Sequence, residues 1–453
     1  MKNTDVLVIG GGPSGAVAAM TARKNYKNKS ITVVRKEQRP VVPCGIPYVF
    51  SRLESVESDA PTSTAYADNN IDLVIDEVTH LNTDDKIVSL QNSEEIQYDK
   101  LILALGSGPV QIPINGADKE NVWLIKKDFD YLIQLREAVE KAQNVVVIGG
   151  GFIGVEIAED MSRRENLNVS IVEKGDTCLA TMLDEEFALA AEDKLREKGV
   201  NIVTGVSIEE ITGDGRADGV KLDNGEFLPA DVVVMSIGAR PSVDLVKDTD
   251  IHLGMYGAIW VDEYMRTSIP DVLAVGDCAE TRDFFTGKHV PVMLASTASA
   301  EARVAGSNLF QLRVIRENKG TLGSFSTSIN GLVISATGMT ESRALSEGFD
   351  VVIGEAQAPN HHPGTLPNTQ QITIKLIFSR LSGTLLGAQM MGPESISELD
   401  NMLALAIQQE LTVFDFDTLQ ISTHPLLTTA PTNYPVITAA QDALSQMEHL
   451  TNK

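Results

Sequence analysis

Two glycine clusters in this 453-residue chain have the composition and spacing to hold a dinucleotide. Gly10-Gly11-Gly12-Pro13-Ser14-Gly15 places G-x-G-x-x-G at Gly10, Gly12 and Gly15, and Gly149-Gly150-Gly151-Phe152-Ile153-Gly154 repeats it at Gly149, Gly151 and Gly154. The first glycine of such a loop allows a tight turn. The second lets backbone approach a pyrophosphate, and the third lets helix pack on strand, so that the helix N-terminus faces the phosphates. Glu173 follows Gly154 by 19 residues. A carboxylate there accepts both ribose hydroxyls and repels a 2′-phosphate, so the second site prefers NADH, with Lys174 beside it leaving tolerance for NADPH. The matching position in the first cluster is Arg35. Either Glu37 takes over the ribose contact, or Arg35 stacks on or pairs with the adenosine end. Gly276-Asp277 adds a carboxylate at the mouth of a buried strand, able to accept hydrogen bonds from a polyol chain or to cap a helix.

Each cluster needs a strand before it and a helix after it. Asp5–Gly10 is apolar without alternation, as in a buried parallel strand, and a helix over Ala16–Lys24 and a strand over Ser30–Val34 follow. The second cluster has Asn144–Ile148, then a helix through Val155–Arg163 and a strand at Val169–Val172. Two complete units argue for two bound dinucleotides. From about residue 323 the pattern changes, with strands at Leu332–Ala336 and Ile372–Phe378 and an amphipathic helix at Ser397–Gln409. The expected class is α/β.

Composition narrows the function. The chain carries 62 acidic and 37 basic side chains, a net charge of −25. Nucleic-acid binding depends on clustered cations and is a poor fit. No apolar run reaches the roughly 18 residues of a membrane span, and the N-terminus does not read as a signal peptide. Three cysteines are too few for a disulfide framework and fit a reducing cytoplasm, leaving a thiol available for chemistry. Residues 1–40 run against the overall charge, with eight cations, Arg23 and Lys24 among them, and only Asp5 and Glu37 as acids. This island is either a solvated face or a site for a local anion.

Together these motifs resemble the FAD-dependent pyridine nucleotide–disulfide oxidoreductases over nearly the full length. Leu101–Ser107 and Val232–Pro241 resemble the family's two crossover segments, and Gly276-Asp277 its second FAD motif. The resemblance implies two Rossmann-like domains, for FAD and NAD, plus a C-terminal α+β dimerisation domain. The expected boundaries are 1–112 with 243–322 for FAD, 113–242 for NAD(P)H and 323–453 for dimerisation. It implies cofactor contacts at Gly10, Gly12, Pro13, Ser14, Gly15, Arg35, Glu37, Pro43, Cys44, Val78, Ala104, Gly106, Gly149, Gly151, Phe152, Ile153, Gly154, Glu156, Glu173, Gly238, Gly276, Asp277 and Ala295. Within that set Phe152 resembles the aromatic gate and Glu156 the acid near the nicotinamide.

Pro43-Cys44-Gly45-Ile46-Pro47-Tyr48 resembles the single-cysteine branch, which includes coenzyme A-disulfide, persulfide and polysulfide reductases and NADH oxidases. The two-cysteine reductases carry C-x4-C, whereas Val49 stands five residues after Cys44. The branch implies that Cys44 lies beside the flavin and cycles between thiolate and a mixed disulfide, persulfide or sulfenate. The first glycine loop lacks the His usual in oxidases and peroxidases. His361-His362-Pro363-Gly364 and Ser422–Pro431 depart from the aromatic segments of coenzyme A-disulfide reductases. His424-Pro425 resembles the His-Pro of two-cysteine reductases, where the His serves the partner's sulfur site as acid–base; an interface histidine is the equal alternative. Adjacent His361 and His362 diverge and chelate metal poorly, so no metal site is expected. The expected activity passes electrons from NAD(P)H through FAD to Cys44 and on to a disulfide, persulfide or polysulfide. Coenzyme A-disulfide reductase and NADH oxidase are the runners-up, and a flavin-based redox sensor is the alternative of another class.

Overall fold

The computed structural model describes residues 1–61, 64–312 and 317–451. The chain divides into two compact units. One comprises Met1–Ile112, Leu124–Lys141 and Ile237–Thr321; the other comprises Pro113–Trp123, Ala142–Ser236 and Leu322–Lys453.

In the first unit the strand Lys2–Ile9 pairs in parallel with Ile31–Arg35 and with Glu95–Leu103. Asp72–Ile75 extends the sheet beyond Ile31–Arg35, and Val272–Ala274 pairs in parallel with Glu95–Leu103. Val6, Leu7, Val8, Leu101, Ile102 and Leu103 are fully buried, which is why these strands read as unbroken apolar runs. The helix Pro13–Asn25 begins immediately after Gly12, because Pro at the first helical position presets φ and has no N–H to leave unbonded.

The second unit holds the other Rossmann sheet, in the order Asn201–Val203, Asn168–Val172, Asn144–Ile148, Val232–Met235 and Val122–Leu124. Its helix Phe152–Met161 starts directly after Gly151. Both glycine-loop helices begin three residues ahead of the sequence expectation, since each second glycine is itself the N-cap. The C-terminal part of this unit is a five-stranded antiparallel sheet in the order Phe325–Ile329, Leu332–Gly338, Leu385–Gly392, Gln371–Ser379 and Val351–Pro359. Ile396–Gln408 and Pro435–Thr451 pack against it. The α/β fold with two Rossmann units and a C-terminal α+β part is as the motifs imply. Among the described residues no helix is long and apolar enough to cross a membrane.

Candidate active site

The two glycine loops are built alike. Gly10 and Gly149 have φ of +112° and +105°, which a side chain would oppose. A Cβ on Gly15 would stand 2.0 Å from the Gly10 carbonyl oxygen, and one on Gly154 the same distance from that of Gly149. Helix and loop therefore touch backbone to backbone. At Gly12 and Gly151 a Cβ would meet nothing within 4 Å, so the loop face there is open to a pyrophosphate.

Around the first loop the structure gathers residues distant in sequence. The carbonyl of Ala104 lies against Gly10, and Ser14 lies against Gly276. Asp277 accepts a hydrogen bond from Ser107 at 2.6 Å and an ion pair from Lys127 at 3.2 Å. The buried carboxyl of Glu301 accepts the Gly276 N–H at 2.8 Å, and burial pushes its pKa up to about 8. Gly106 and Gly238 sit on adjoining crossovers, where Ala239–Pro241 pairs with Ser107–Pro109. Ala295 is the first residue of the helix Ala295–Ser307. Pro13 opens its helix, Glu37 is half-buried on the turn after Arg35, and Val78 starts the strand Val78–Asn82.

Arg35 is buried with its stem across Gly11, and its Nε has no hydrogen-bond partner. It borders a cavity of about 730 Å³ lined also by Arg39, Tyr66, Ile71 and Phe129. A buried, unsatisfied donor at the ribose corner calls for an acceptor from a ligand. The open Gly12 face and this unsatisfied Nε together fit the pyrophosphate and adenosine ends of FAD. Glu173 occupies the corresponding corner of the second loop with the opposite charge. Its Oε2 accepts the Gly150 N–H at 2.6 Å and its Oε1 the Gly175 N–H at 2.6 Å. Ile153 is exposed on the first turn of that helix.

Cys44 is exposed on the short 3₁₀ helix Pro43–Tyr48, within the same compact unit as the first glycine loop. Arg136 donates to the carbonyls of Val49 at 2.9 Å and Leu53 at 3.1 Å, pinning the chain that follows. Asp59 is 4% exposed and lies against Gly45; burial pushes its pKa up to about 6. The other two cysteines are core residues. Cys178 and Cys278 are buried, which pushes each thiol up to about 12 and keeps it protonated.

Part of the cationic island is used within the fold. Arg23 donates to the carbonyls of Asn69, Asn70, Lys27 and Lys29, while Lys29 pairs with Asp5 and Lys2 with Asp72. Lys24 is exposed. His424 is exposed, and its Nδ1 accepts the Leu426 N–H at 3.2 Å, which leaves the ring proton on Nε2 in the neutral form. His362 Nδ1 lies 3.0 Å from the Thr428 carbonyl oxygen and the His362 N–H donates to Pro425. The two histidine segments thus meet. His361 turns instead to Thr369. Among the described residues no cluster of metal-ligating side chains occurs.

Ser107, Lys127, Glu301 and Asp59 were not singled out from the sequence. Each acts across a long sequence separation, and no local pattern marks them.

Two Rossmann loops on one chain, with an exposed cysteine in the unit of the first, define a flavin- and nicotinamide-dependent oxidoreductase. Comparison with known proteins agrees. The pyridine nucleotide-disulphide oxidoreductase signature matches residues 4–302, and the dimerisation domain of the same family matches 326–434. The chain belongs to this family and is an FAD-dependent NAD(P)H oxidoreductase. It is 30% identical to an NADH oxidase of Methanocaldococcus jannaschii, covering 98% of this chain and 99% of the other. It is 33% identical to an NAD(P)H coenzyme A polysulfide/persulfide reductase of Pyrococcus horikoshii, covering 88% and 90%. The solved structure of an NAD-dependent persulfide reductase from A. fulgidus superposes with a TM-score of 0.90 at 32% identity, covering 98% of this chain and 84% of that one.

Proposed function

We propose that this protein reduces a disulfide, persulfide or polysulfide at Cys44 with electrons from NADH, in the cytoplasm and as a homodimer. The observation that carries this reading is the exposed Cys44 in the compact unit that bears the first glycine loop. Relatives named as persulfide and polysulfide reductases support it. The proposed domains are 1–112 with 243–322 for FAD, 113–242 for NAD(P)H and 323–453 for dimerisation.

Bound at the first glycine loop, FAD supplies a two-electron relay between nicotinamide and sulfur. Gly12 would leave room for its pyrophosphate, Arg35 would offer a donor to the ribose end, and Asp277, held by Ser107 and Lys127, would accept hydrogen bonds from the polyol. Glu173 selects NADH at the second loop. Cys44 thiolate attacks one sulfur of the substrate, forming a mixed disulfide and releasing the other sulfur as a thiolate. Two electrons drawn from NADH then break the mixed disulfide, returning Cys44 to thiolate and freeing the bound half as a second thiolate. In a symmetric dimer His424 serves in trans, its Nε2 proton going to the leaving sulfur.

The experiment is Cys44→Ser. The variant should still be bleached by NADH but should lose reduction of polysulfide, coenzyme A disulfide and small disulfides. Retained disulfide reduction would remove Cys44 from the reaction. The relative named as an NADH oxidase favours oxygen as a second acceptor. A panel of acceptors under steady-state NADH oxidation ranks the two.

A further inference from the structure

The helix Phe152–Met161 and the strand Phe325–Ile329 are matched residue by residue. Phe152 and Glu156 are four apart on the helix and so share a face. Phe325 and Thr327 are two apart on the strand and share a face as well. The rings of Phe152 and Phe325 meet edge to face, with centroids 4.2 Å apart at 60°. The Thr327 hydroxyl, on a residue only 4% exposed, donates to Glu156 Oε1 at 2.9 Å. One turn further on, the Asn330 N–H donates to Glu159 Oε1 at 3.3 Å, and Arg163 closes on the same carboxylate at 2.8 Å. Two successive contacts keep helix and strand in register, and a third ties the helix to the turn that follows the strand.

From this we infer that Phe325 and Thr327, on the C-terminal sheet, are positioning residues that hold Phe152 and Glu156 in the arrangement that receives the nicotinamide. The inference rests on the reading of Phe152 and Glu156 as the nicotinamide-facing pair. An aromatic ring on the first turn of a helix samples several rotamers unless something props its edge. The contact with the Phe325 ring leaves one arrangement of Phe152 favoured. A ligand that binds only one arrangement has its apparent affinity scaled by the population of that arrangement. Phe325 therefore acts on how tightly the nucleotide binds. Thr327 acts differently. Its hydroxyl fixes the direction of a carboxylate, and orientation at a reacting group governs rate more than affinity. The C-terminal sheet thereby has a part in the nicotinamide site beyond dimerisation.

The test uses the FAD-loaded dimer and separates the two effects. Phe325→Leu should weaken NAD+ binding, measured by titration calorimetry, by about threefold to tenfold, the range set by losing one aromatic pair. Its limiting rate of flavin bleaching by NADH should be unchanged. Thr327→Val should leave NAD+ affinity intact and slow the limiting bleaching rate by roughly tenfold, the scale of one hydrogen bond to a charged group. Thr327→Ser keeps the hydroxyl and should restore the rate. Unchanged affinity in Phe325→Leu, or a Thr327→Val rate equal to wild type, would overturn the inference. So would a Thr327→Ser variant as slow as Thr327→Val. Phe152→Ala and Glu156→Gln serve as the reference pair. If they alter binding and rate while the strand variants do not, the inference alone fails. If they too are silent, the reading of this helix face as the nicotinamide site fails with it.

Discussion

The carboxylate of Asp59 fills the space that a side chain on Gly45 would need: a Cβ there would stand 1.8 Å from Asp59 Oδ1. The glycine after Cys44 is therefore a packing requirement set by a residue 14 positions away, not a flexible joint. The backbone agrees, since the Val42 N–H donates to the Asp59 carbonyl at 3.0 Å. Gly45→Ala should displace the cysteine turn, with a destabilisation of about 1–3 kcal/mol from overpacking and a clear loss of thiol-dependent turnover. Adding Asp59→Gly should return most of both. Melting temperature and the alkylation rate of Cys44 report the two effects, and independent behaviour of the two substitutions would refute the coupling.

At the second glycine loop, Glu173 accepts the Gly150 and Gly175 N–H groups, so its carboxylate is held in place by the loop itself. Glu173→Ser removes the charge that repels a 2′-phosphate and the acceptor for ribose. The kcat/KM for NADH should fall by about tenfold or more while that for NADPH holds or rises. An unchanged NADH-to-NADPH ratio would show that nucleotide choice is made elsewhere.

Three buried carboxyls make stability depend on pH. Burial pushes Glu301 up to about 8, Asp400 up to about 7 and Asp59 up to about 6. Each is protonated in the folded chain where its unfolded counterpart has ionised, so the unfolded state binds fewer protons. Stability from these groups is complete below pH 4 and is lost as pH rises through their folded values, by up to about 1.4 kcal/mol per pH unit per group. Glu301→Gln keeps an acceptor for the Gly276 N–H and removes the latest of these transitions. Its melting temperature should exceed that of the wild type at pH 8–9 and converge with it near pH 5. Parallel curves at all pH values would contradict the assignment.

Lys375 is 6% exposed and faces three carboxylates, Asp184 at 3.1 Å, Glu186 at 2.6 Å and Glu341 at 2.8 Å. The Glu341 N–H and the Ser342 N–H also donate to Asp184. Replacing the cation with an apolar side chain of similar length leaves buried negative charge without a counter-ion. Lys375→Met should cost about 3–5 kcal/mol, seen as a fall in melting temperature of about 3–5 °C for a chain of this length. Adding Asp184→Asn should recover part of that loss.

What the sequence by itself determined was local. A glycine loop is a backbone requirement carried by a few consecutive residues, so Gly10 to Gly15 and Gly149 to Gly154 were legible together with their flanking strands and helices. The same holds for Glu173, whose distance from Gly154 is set by one helix and one strand. Only the tertiary structure decided which partners stand around these loops. Asp277 meets Ser107 and Lys127 across 170 and 150 residues, and Glu156 meets Thr327 across 171. A serine, a lysine or a threonine in a surface-like context carries no local mark of such a role. The charged N-terminal stretch shows the same division in reverse. Its surplus of cations was plain in the sequence, yet Arg23 directs its donors to four backbone carbonyls, because two loops brought together by folding must have their acceptors satisfied.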